Sequence, residues 1–299
     1  MISIIVPCYN EKESIPYFVR EINKVIDEMK VKFELIFVDD GSSDNSLELL
    51  KELSKEDKKV KYISFSRNFG KEAAMLAGLE ASIGDYVAVM DVDLQDPPKY
   101  LIDMYEGIKE GYDCVGLRRV SRKGEPKLRS FFARCYYKLI NKISDIEVVD
   151  GARDFRLMTR QMVNSILELR EHNRYSKGIF SWVGYKVKYL EYKNVERVAG
   201  TTKWSFWKLF KYSIESIVGF STVPLVLSAF FGILLLFISF VMFIILLFGQ
   251  SSLFGLITLI LFLSGSNFLF MGILGIYISK MHNELQNRPL YVVKEHNIK

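Results

Sequence analysis

The sequence predicts an α/β domain built on a mostly parallel sheet, followed by a hairpin of two membrane-spanning helices. Three observations carry that prediction. Short apolar runs alternate with amphipathic stretches over the first two thirds of the 299 residues, the pattern of strands and helices wound into one sheet. Acidic clusters recur where the apolar runs end, and sheets of this kind bind ligands beyond the carboxyl ends of their strands. From Ser216 to Ser279 there is no Asp, Glu, Lys or Arg, so that stretch has no charged face to offer water.

Five runs read as strands: residues 3–7, 33–38, 62–65, 86–90 and 114–116. Between the first two, Ile15, Phe18, Val19, Ile22, Val25, Ile26 and Met29 recur at helical spacing. Later, residues 127–143 set Leu128, Phe131, Phe132, Tyr136, Leu139, Ile140 and Ile143 against Lys127, Arg129, Arg134, Lys138 and Lys142. That pattern suits a helix lying in a headgroup layer, or an ordinary amphipathic helix on the domain. Trp204, Phe206, Trp207 and Phe210 interleave with Lys203, Lys208 and Lys211 just before the charge-free stretch, again an interfacial pattern.

A hydrocarbon layer about 30 Å thick takes roughly 20 helical residues to cross. The charge-free stretch therefore suits two spans, placed at residues 223–248 and 253–279. Lysines 203, 208 and 211 precede them and Lys280, Arg288 and Lys294 follow, while the connector from Gly249 to Ser252 is uncharged. By the positive-inside rule both ends face the cytoplasm. Residues 1–7 lack the basic n-region of a signal peptide, so the first domain is expected in the cytoplasm. The expected division is a catalytic domain over 1–202, a juxtamembrane amphipathic helix over 203–221, two transmembrane helices over 222–280 and a cytoplasmic tail over 281–299, mobile from about Asn287.

Cys8, Cys114 and Cys135 show no CxxC spacing, and His172, His282 and His296 form no cluster, which argues against a disulfide framework or a zinc site. The net charge of +5 fits a basic surface facing anionic lipid or simple solubility.

Three carboxylate-bearing segments fall at predicted strand ends: PCYNE at 7–11, DDGSSD at 39–44 and DVDLQDPP at 91–98. Singly, each is as readily a turn or a helix cap as a site; together they mark one edge of the sheet. Asp91 and Asp93 suit a hard divalent cation, Mg2+ or Mn2+, which takes oxygen ligands and keeps water or phosphate around one or two carboxylates. Such a cation would neutralise a departing diphosphate.

These segments, with SRNFGKEAA at 66–74, resemble successive signatures of the family 2 glycosyltransferases, which have a GT-A (Rossmann-like) nucleotide-sugar-binding fold. DVDLQDPP, DFRLM at 154–158, RVAGTTKW at 197–204 and the paired apolar stretch resemble more narrowly the dolichyl-phosphate mannose synthases and the bactoprenol glucosyltransferases. The resemblance implies that Pro7, Tyr9, Glu11, Asp39 and Asp40 line the nucleoside pocket, with Lys71 near the base or diphosphate. It implies that Asp91, Asp93 and Gln95 hold the metal, that Arg197 and Lys203 close over the donor diphosphate, and that Arg118 and Arg134 grip the acceptor phosphate, with Arg119 and Arg129 as neighbours in sequence. Asp154 matches a proposed catalytic carboxylate; it would otherwise orient Arg153, Arg156 or the acceptor, or cap a helix beginning near Phe155.

The activity so implied is inverting hexose transfer from a UDP-sugar, UDP-glucose first, to undecaprenyl (polyprenyl) phosphate at the cytoplasmic face of a bacterial inner membrane, for cell-envelope glycosylation. Donors carrying N-acetylglucosamine, N-acetylgalactosamine or galactose fit the same motifs, and a homo-oligomer such as a tetramer is reasonable. The alternatives are a processive polysaccharide synthase, for which two spans are few and no QxxRW segment is present, and a non-enzymatic membrane scaffold.

Overall fold

The computed structural model describes residues 1–120, 127–144, 146–192, 213–214, 216–248 and 253–298. Its first four strands, β1 (Ile2–Cys8), β2 (Phe33–Asp39), β3 (Val60–Phe65) and β4 (Tyr86–Val89), alternate with helices α1 (Ser14–Met29), α2 (Ser46–Glu56) and α3 (Lys71–Ala81). After α4 (Tyr100–Lys109) come β5 (Cys114–Arg119), α5 (Lys127–Ile143), β6 (Ala152–Thr159), α6 (Arg160–Glu168), α7 (Ser176–Trp182) and β7 (Val187–Tyr192). The final strand, β8 (Val293–His296), follows two apolar helices, Val223–Phe248 and Leu253–Leu285.

The strands form one sheet in the order β7-β5-β6-β4-β1-β2-β3-β8. The expected parallel unit is there, with β1 between β2 and β4 and β3 outside β2. The sheet is nevertheless mixed: β6 runs antiparallel to both β4 and β5, and β8 antiparallel to β3. Reversal of β6 inserts Asp154 on a strand beside the end of β4, so the alternative of a helix starting near Phe155 falls away.

Alternation along the strands divides the core between the two sheet faces. Ile4, Val6, Phe37, Val115 and Leu157 pack with Ile15, Phe18 and Ile22 of α1 and Leu101 and Met104 of α4. Ile5, Ile36, Val38, Val89 and Met158 pack with Ala74 and Ala77 of α3, Met162 and Ile166 of α6, and Phe180 of α7. Helix α3 lies hard on β1, because a Cβ at Gly78 would stand 2.2 Å from the Ile5 side chain. That approach sets the N-terminus of α3, and so Lys71, above the strand ends.

Both apolar helices expected from the sequence are present and touch one another. Among the described residues one run, Phe262–Leu285, is long and apolar enough to cross a membrane, and none of it is buried in the protein; Val223–Leu235 is apolar but shorter. The second helix continues past Ser279 to Leu285. A mobile tail from Asn287 is not what the structure contains: residues 293–296 form the edge strand β8. The polar sequence Val-Lys-Glu-His concealed a strand whose pairing comes from the open edge of β3. The interfacial segment 203–212 lies outside the described residues.

At the opposite end of the sheet from the acidic loops, Glu34 on β2 is buried. It accepts from Ser3 Oγ, from Lys61 Nζ at 2.6 Å and from the Ile83 amide at 3.1 Å. Burial opposes its ionisation, but the bonds from Lys61, Ser3 and Ile83 outweigh burial and leave its pKa lowered. Its contribution is therefore complete above about pH 4.3, the ordinary glutamate value, and is lost as pH falls through the depressed folded value. Glu34→Ala is expected to cost about 2 kcal/mol, read as a lower thermal midpoint of the detergent-solubilised chain at pH 7. The gap to the wild type should close on acidification; equal midpoints at pH 7 would remove the network from the account.

Candidate active site

The site is assembled from loops that leave the carboxyl ends of β1, β2, β3 and β4. The first two are stitched together by Asn10, which adopts a left-handed φ of 54° that Asn tolerates better than most residues. Its Oδ1 accepts from the amides of Ser43 at 2.8 Å and Asp44 at 3.3 Å, and its own amide donates to Ser42 Oγ at 2.9 Å. The Glu11 amide donates to Ser46 Oγ at 3.0 Å, and the Glu11 carboxylate accepts from Ser14 Oγ at 2.8 Å. Pro7 lies within β1, opposite Val38, and Tyr9 is partly exposed on the loop beyond it.

Asp39 and Asp40 are buried and serve as anchors for neighbouring loops. Asp39 accepts from Ser64 Oγ at 2.8 Å and from the Ser42 amide at 3.1 Å. Asp40 accepts from the Phe69 amide at 2.6 Å and the Gly70 amide at 2.9 Å, and so holds the loop that leads into α3. Burial raises the Asp40 pKa, with those two amides acting against it. Gly41 takes a φ of 67°, and a Cβ there would lie 2.4 Å from the Arg67 backbone; glycine is what lets the two loops touch.

At the N-terminus of α3, Lys71 reaches two carboxylates at once: Nζ lies 2.6 Å from Asp91 Oδ1 and 2.5 Å from Asp154 Oδ2. Burial alone would raise the Asp154 pKa. Attraction from Lys71, then from Lys177, overrides it and holds the carboxyl well below the ordinary carboxylate range. Burial would likewise depress Lys71, yet Asp154 and Asp91 keep its ammonium well above the usual lysine value. Arg156, on β6 two residues beyond Asp154, is fully buried with its guanidinium 3.8 Å from the centroid of the Phe180 ring. It adds to the field that keeps Asp154 ionised.

Asp91 and Asp93 begin the turn after β4. Asp93 Oδ1 accepts from the Gln95 amide at 3.1 Å, and Leu94 between them is held at a φ of 56°, an unusual conformation for a side-chain-bearing residue. The Gln95 side chain is partly buried on the same turn. Next to it, Asp96 accepts from Arg153 Nε at 3.0 Å on both oxygens and from the Tyr192 hydroxyl. This trio ties the turn to β6 and β7. Burial raises the Asp96 pKa, with Arg153 opposing the rise.

The described residues contain no group of three His, Cys, Asp or Glu side chains that would hold a metal ion alone. Asp91 and Asp93 offer hard carboxylate oxygens, so a cation bound there would complete its shell with water and phosphate, as Mg2+ commonly does. The donor chemistry fits a divalent ion, which would have to share Asp91 with Lys71 or displace it.

Not all of the expected residues come together. Arg118 donates from Nε to the Asp150 carbonyl at 3.2 Å and lies 3.5 Å from Glu191 through Nη1. Arg134 is exposed on α5, and no contact joins it to Arg118 among the described contacts. Arg197 and Lys203 lie outside the described residues. Asn10, Asp96 and Tyr192 are structural partners that the sequence reading did not single out, whereas Arg156 was named there as a group that Asp154 could orient. Asn10 and Asp96 sit inside quoted motifs and were within reach; Tyr192 gave no local signal.

The profile described as Glycosyl transferase family 2 matches residues 3–167. CsbB of Bacillus subtilis (strain 168), described as a glycosyltransferase, is 44% identical over 100% of this chain and 92% of its own length. The SfII prophage-derived bactoprenol glucosyl transferase of Shigella flexneri is 39% identical over 98% of this chain and 97% of its own. The bactoprenol glucosyl transferase of Shigella phage SfV is 39% identical over 98% of each chain. Among solved structures, mannosyl-3-phosphoglycerate synthase from Rubrobacter xylanophilus gives a TM-score of 0.50 at 14% identity over 73% of this chain and 71% of that one, a likeness of fold alone. With the family's motifs at the ends of its strands and full-length relatives of the same kind, the chain belongs to glycosyl transferase family 2 and is a glycosyltransferase with a GT-A-like α/β fold.

Proposed function

We propose that this enzyme transfers a hexose from a nucleotide diphosphate sugar, UDP-glucose first, to undecaprenyl or another polyprenyl phosphate at the cytoplasmic face of a bacterial membrane. The observation that carries this reading is the convergence of Lys71, Asp91 and Asp154 at the strand ends, in a chain similar along nearly its whole length to bactoprenol glucosyl transferases.

The proposed step is a single displacement. An acceptor phosphate oxygen forms a bond to the anomeric carbon as the bond from that carbon to the donor diphosphate breaks; the nucleoside diphosphate leaves with the electron pair, and the configuration inverts. Asp91 and Asp93 would hold Mg2+ or Mn2+, whose charge would offset that of the leaving diphosphate. Lys71 supplies a permanent positive charge at the same place. Asp154 works as an ionised group that orients Lys71, because a phosphate acceptor with a second pKa near 6 is already an anion at neutral pH and needs no strong base. Tyr9 and Glu11 border the nucleoside side, and Arg118 and Arg134 are assigned to the acceptor phosphate.

A polyprenyl chain does not leave a bilayer readily, at about 0.8 kcal/mol per buried CH2, so the enzyme has to bring its site to the membrane. The apolar helices Val223–Phe248 and Leu253–Leu285 are assigned as a transmembrane hairpin that does so.

With purified protein, undecaprenyl phosphate, Mg2+ or Mn2+ and a panel of labelled nucleotide sugars, label should enter the lipid phase from one donor. Asp93→Asn should reduce that transfer about 100-fold. A folded wild type that labels no lipid from any donor would refute the acceptor. The pH profile of wild-type kcat/KM should lack any ionisation assignable to Asp154 between about pH 5 and 9, since its folded pKa is depressed below the ordinary value near 3.9. An acid limb near neutrality that disappears in Asp154→Asn would instead make Asp154 a proton acceptor.

A further inference from the structure

Beyond Leu285 the chain turns back from the apolar helix onto the outer edge of the sheet. On β8, Glu295 lies opposite Ser64 and Val293 opposite Phe65, and the Ser66 amide donates to the Val292 carbonyl at 2.9 Å. Lys51 and Glu295 pair at 2.8 Å. Tyr291 stacks on Phe65 with ring centroids 4.8 Å apart and planes inclined by 17°, and its hydroxyl donates to Glu80 of α3. Phe65 in turn meets Phe69 edge to face at 5.8 Å. Phe69 and Gly70 are the residues whose amides Asp40 holds, and Lys71 follows them directly.

A short path therefore runs from the C-terminal segment to the reacting end of the sheet: Tyr291, Phe65, Phe69, then the lysine that grips Asp91 and Asp154. A second path lies on β3 itself, where Ser64, opposite Glu295, donates to Asp39. The end of the apolar helix is pinned nearby as well. Lys280 Nζ donates to Asn173 Oδ1 at 2.6 Å and Glu284 accepts from the His172 amide at 2.8 Å, on the segment leading to Ser176, whose amide donates to Glu72 at 3.1 Å. The first turn of α3 is thus bracketed by contacts that originate after the charge-free stretch.

From this geometry we infer that Tyr291 is a positioning residue for Lys71, and that the segment after the apolar helix is a working part of the active site. The contribution to turnover rests on Lys71 belonging to the donor site, whereas the mechanical link to residues 66–71 does not. Without the Tyr291 ring, Phe65 loses its stacked partner, the loop at 66–70 loosens, and the ammonium is no longer held in one place. Misplacement of a charged group by about 1 Å is enough to slow catalysis by as much as 100-fold.

The test uses the full chain in detergent and reads two quantities, amide hydrogen exchange of a peptide spanning residues 66–71 and kcat/KM with UDP-glucose. Tyr291→Ala should speed exchange there about tenfold and lower kcat/KM about tenfold, with exchange in β2 unchanged. Tyr291→Phe, which keeps the ring and drops the Glu80 bond, should restore both to within about twofold of wild type. Glu34→Ala, at the far end of the sheet, should lower the thermal midpoint without altering exchange at 66–71, which separates positioning from general loss of stability. Wild-type exchange at 66–71 in Tyr291→Ala would overturn the inference whatever the activity. Faster exchange in a chain whose wild type does not turn over UDP-glucose would uphold the link and count only against the proposed donor.

Discussion

One lysine between two carboxylates organises this molecule. Asp91 comes from the end of β4 and Asp154 from β6, and without a cation between them two negative charges would face an incoming diphosphate. Lys71 meets both, and the partners reinforce one another: the carboxylates keep the ammonium charged, and the ammonium keeps Asp154 ionised despite burial. The rest of the fold delivers these three groups to one point. Gly78 lets α3 lie against β1, Asp40 ties down the loop before Lys71, and the reversal of β6 brings Asp154 alongside β4.

Around that point the structure separates anchoring from chemistry. Asp39, Asp40, Asp93 and Asp96 are the buried acidic groups there, and each is engaged by hydroxyls, amides or Arg153. Asp91 and Asp154, each about a fifth to a quarter exposed at the side chain, are the carboxylates that face the opening of the site, with Asp93 beside Asp91 on the same turn. Buried carboxylates are tolerated only when paired in this way, so a run of acidic motifs yields a few site residues and several braces for the loops that carry them.

Much of this was legible in the sequence because its signals are local. The first five strands, the helical spacing of α1, the boundaries of α5 and the two apolar helices all follow from periodicity within a short window. The acidic loops were placed correctly at strand ends for the same reason. What escaped depends on partners distant along the chain. Strand β6 carries Arg153, Asp154 and Arg156 and does not alternate like a half-buried strand; it is stabilised by Asp96, Lys71 and Phe180, none of them nearby in sequence. The segment at 293–296 is polar and reads as tail, and only the open edge of β3 and the Tyr291–Phe65 stack make it a strand. No local pattern announces that Lys71 and Asp154 meet.

The most direct test of the central claim is a crystal or cryo-electron microscopy structure of the full chain with Mn2+ and a non-hydrolysable analogue of UDP-glucose. Metal density on Asp91 and Asp93, with Lys71 still paired to Asp154 and turned from Asp91 towards the diphosphate, is the predicted result. A metal bound away from both aspartates, or a diphosphate seated with Lys71 unmoved and out of contact with it, would contradict the account.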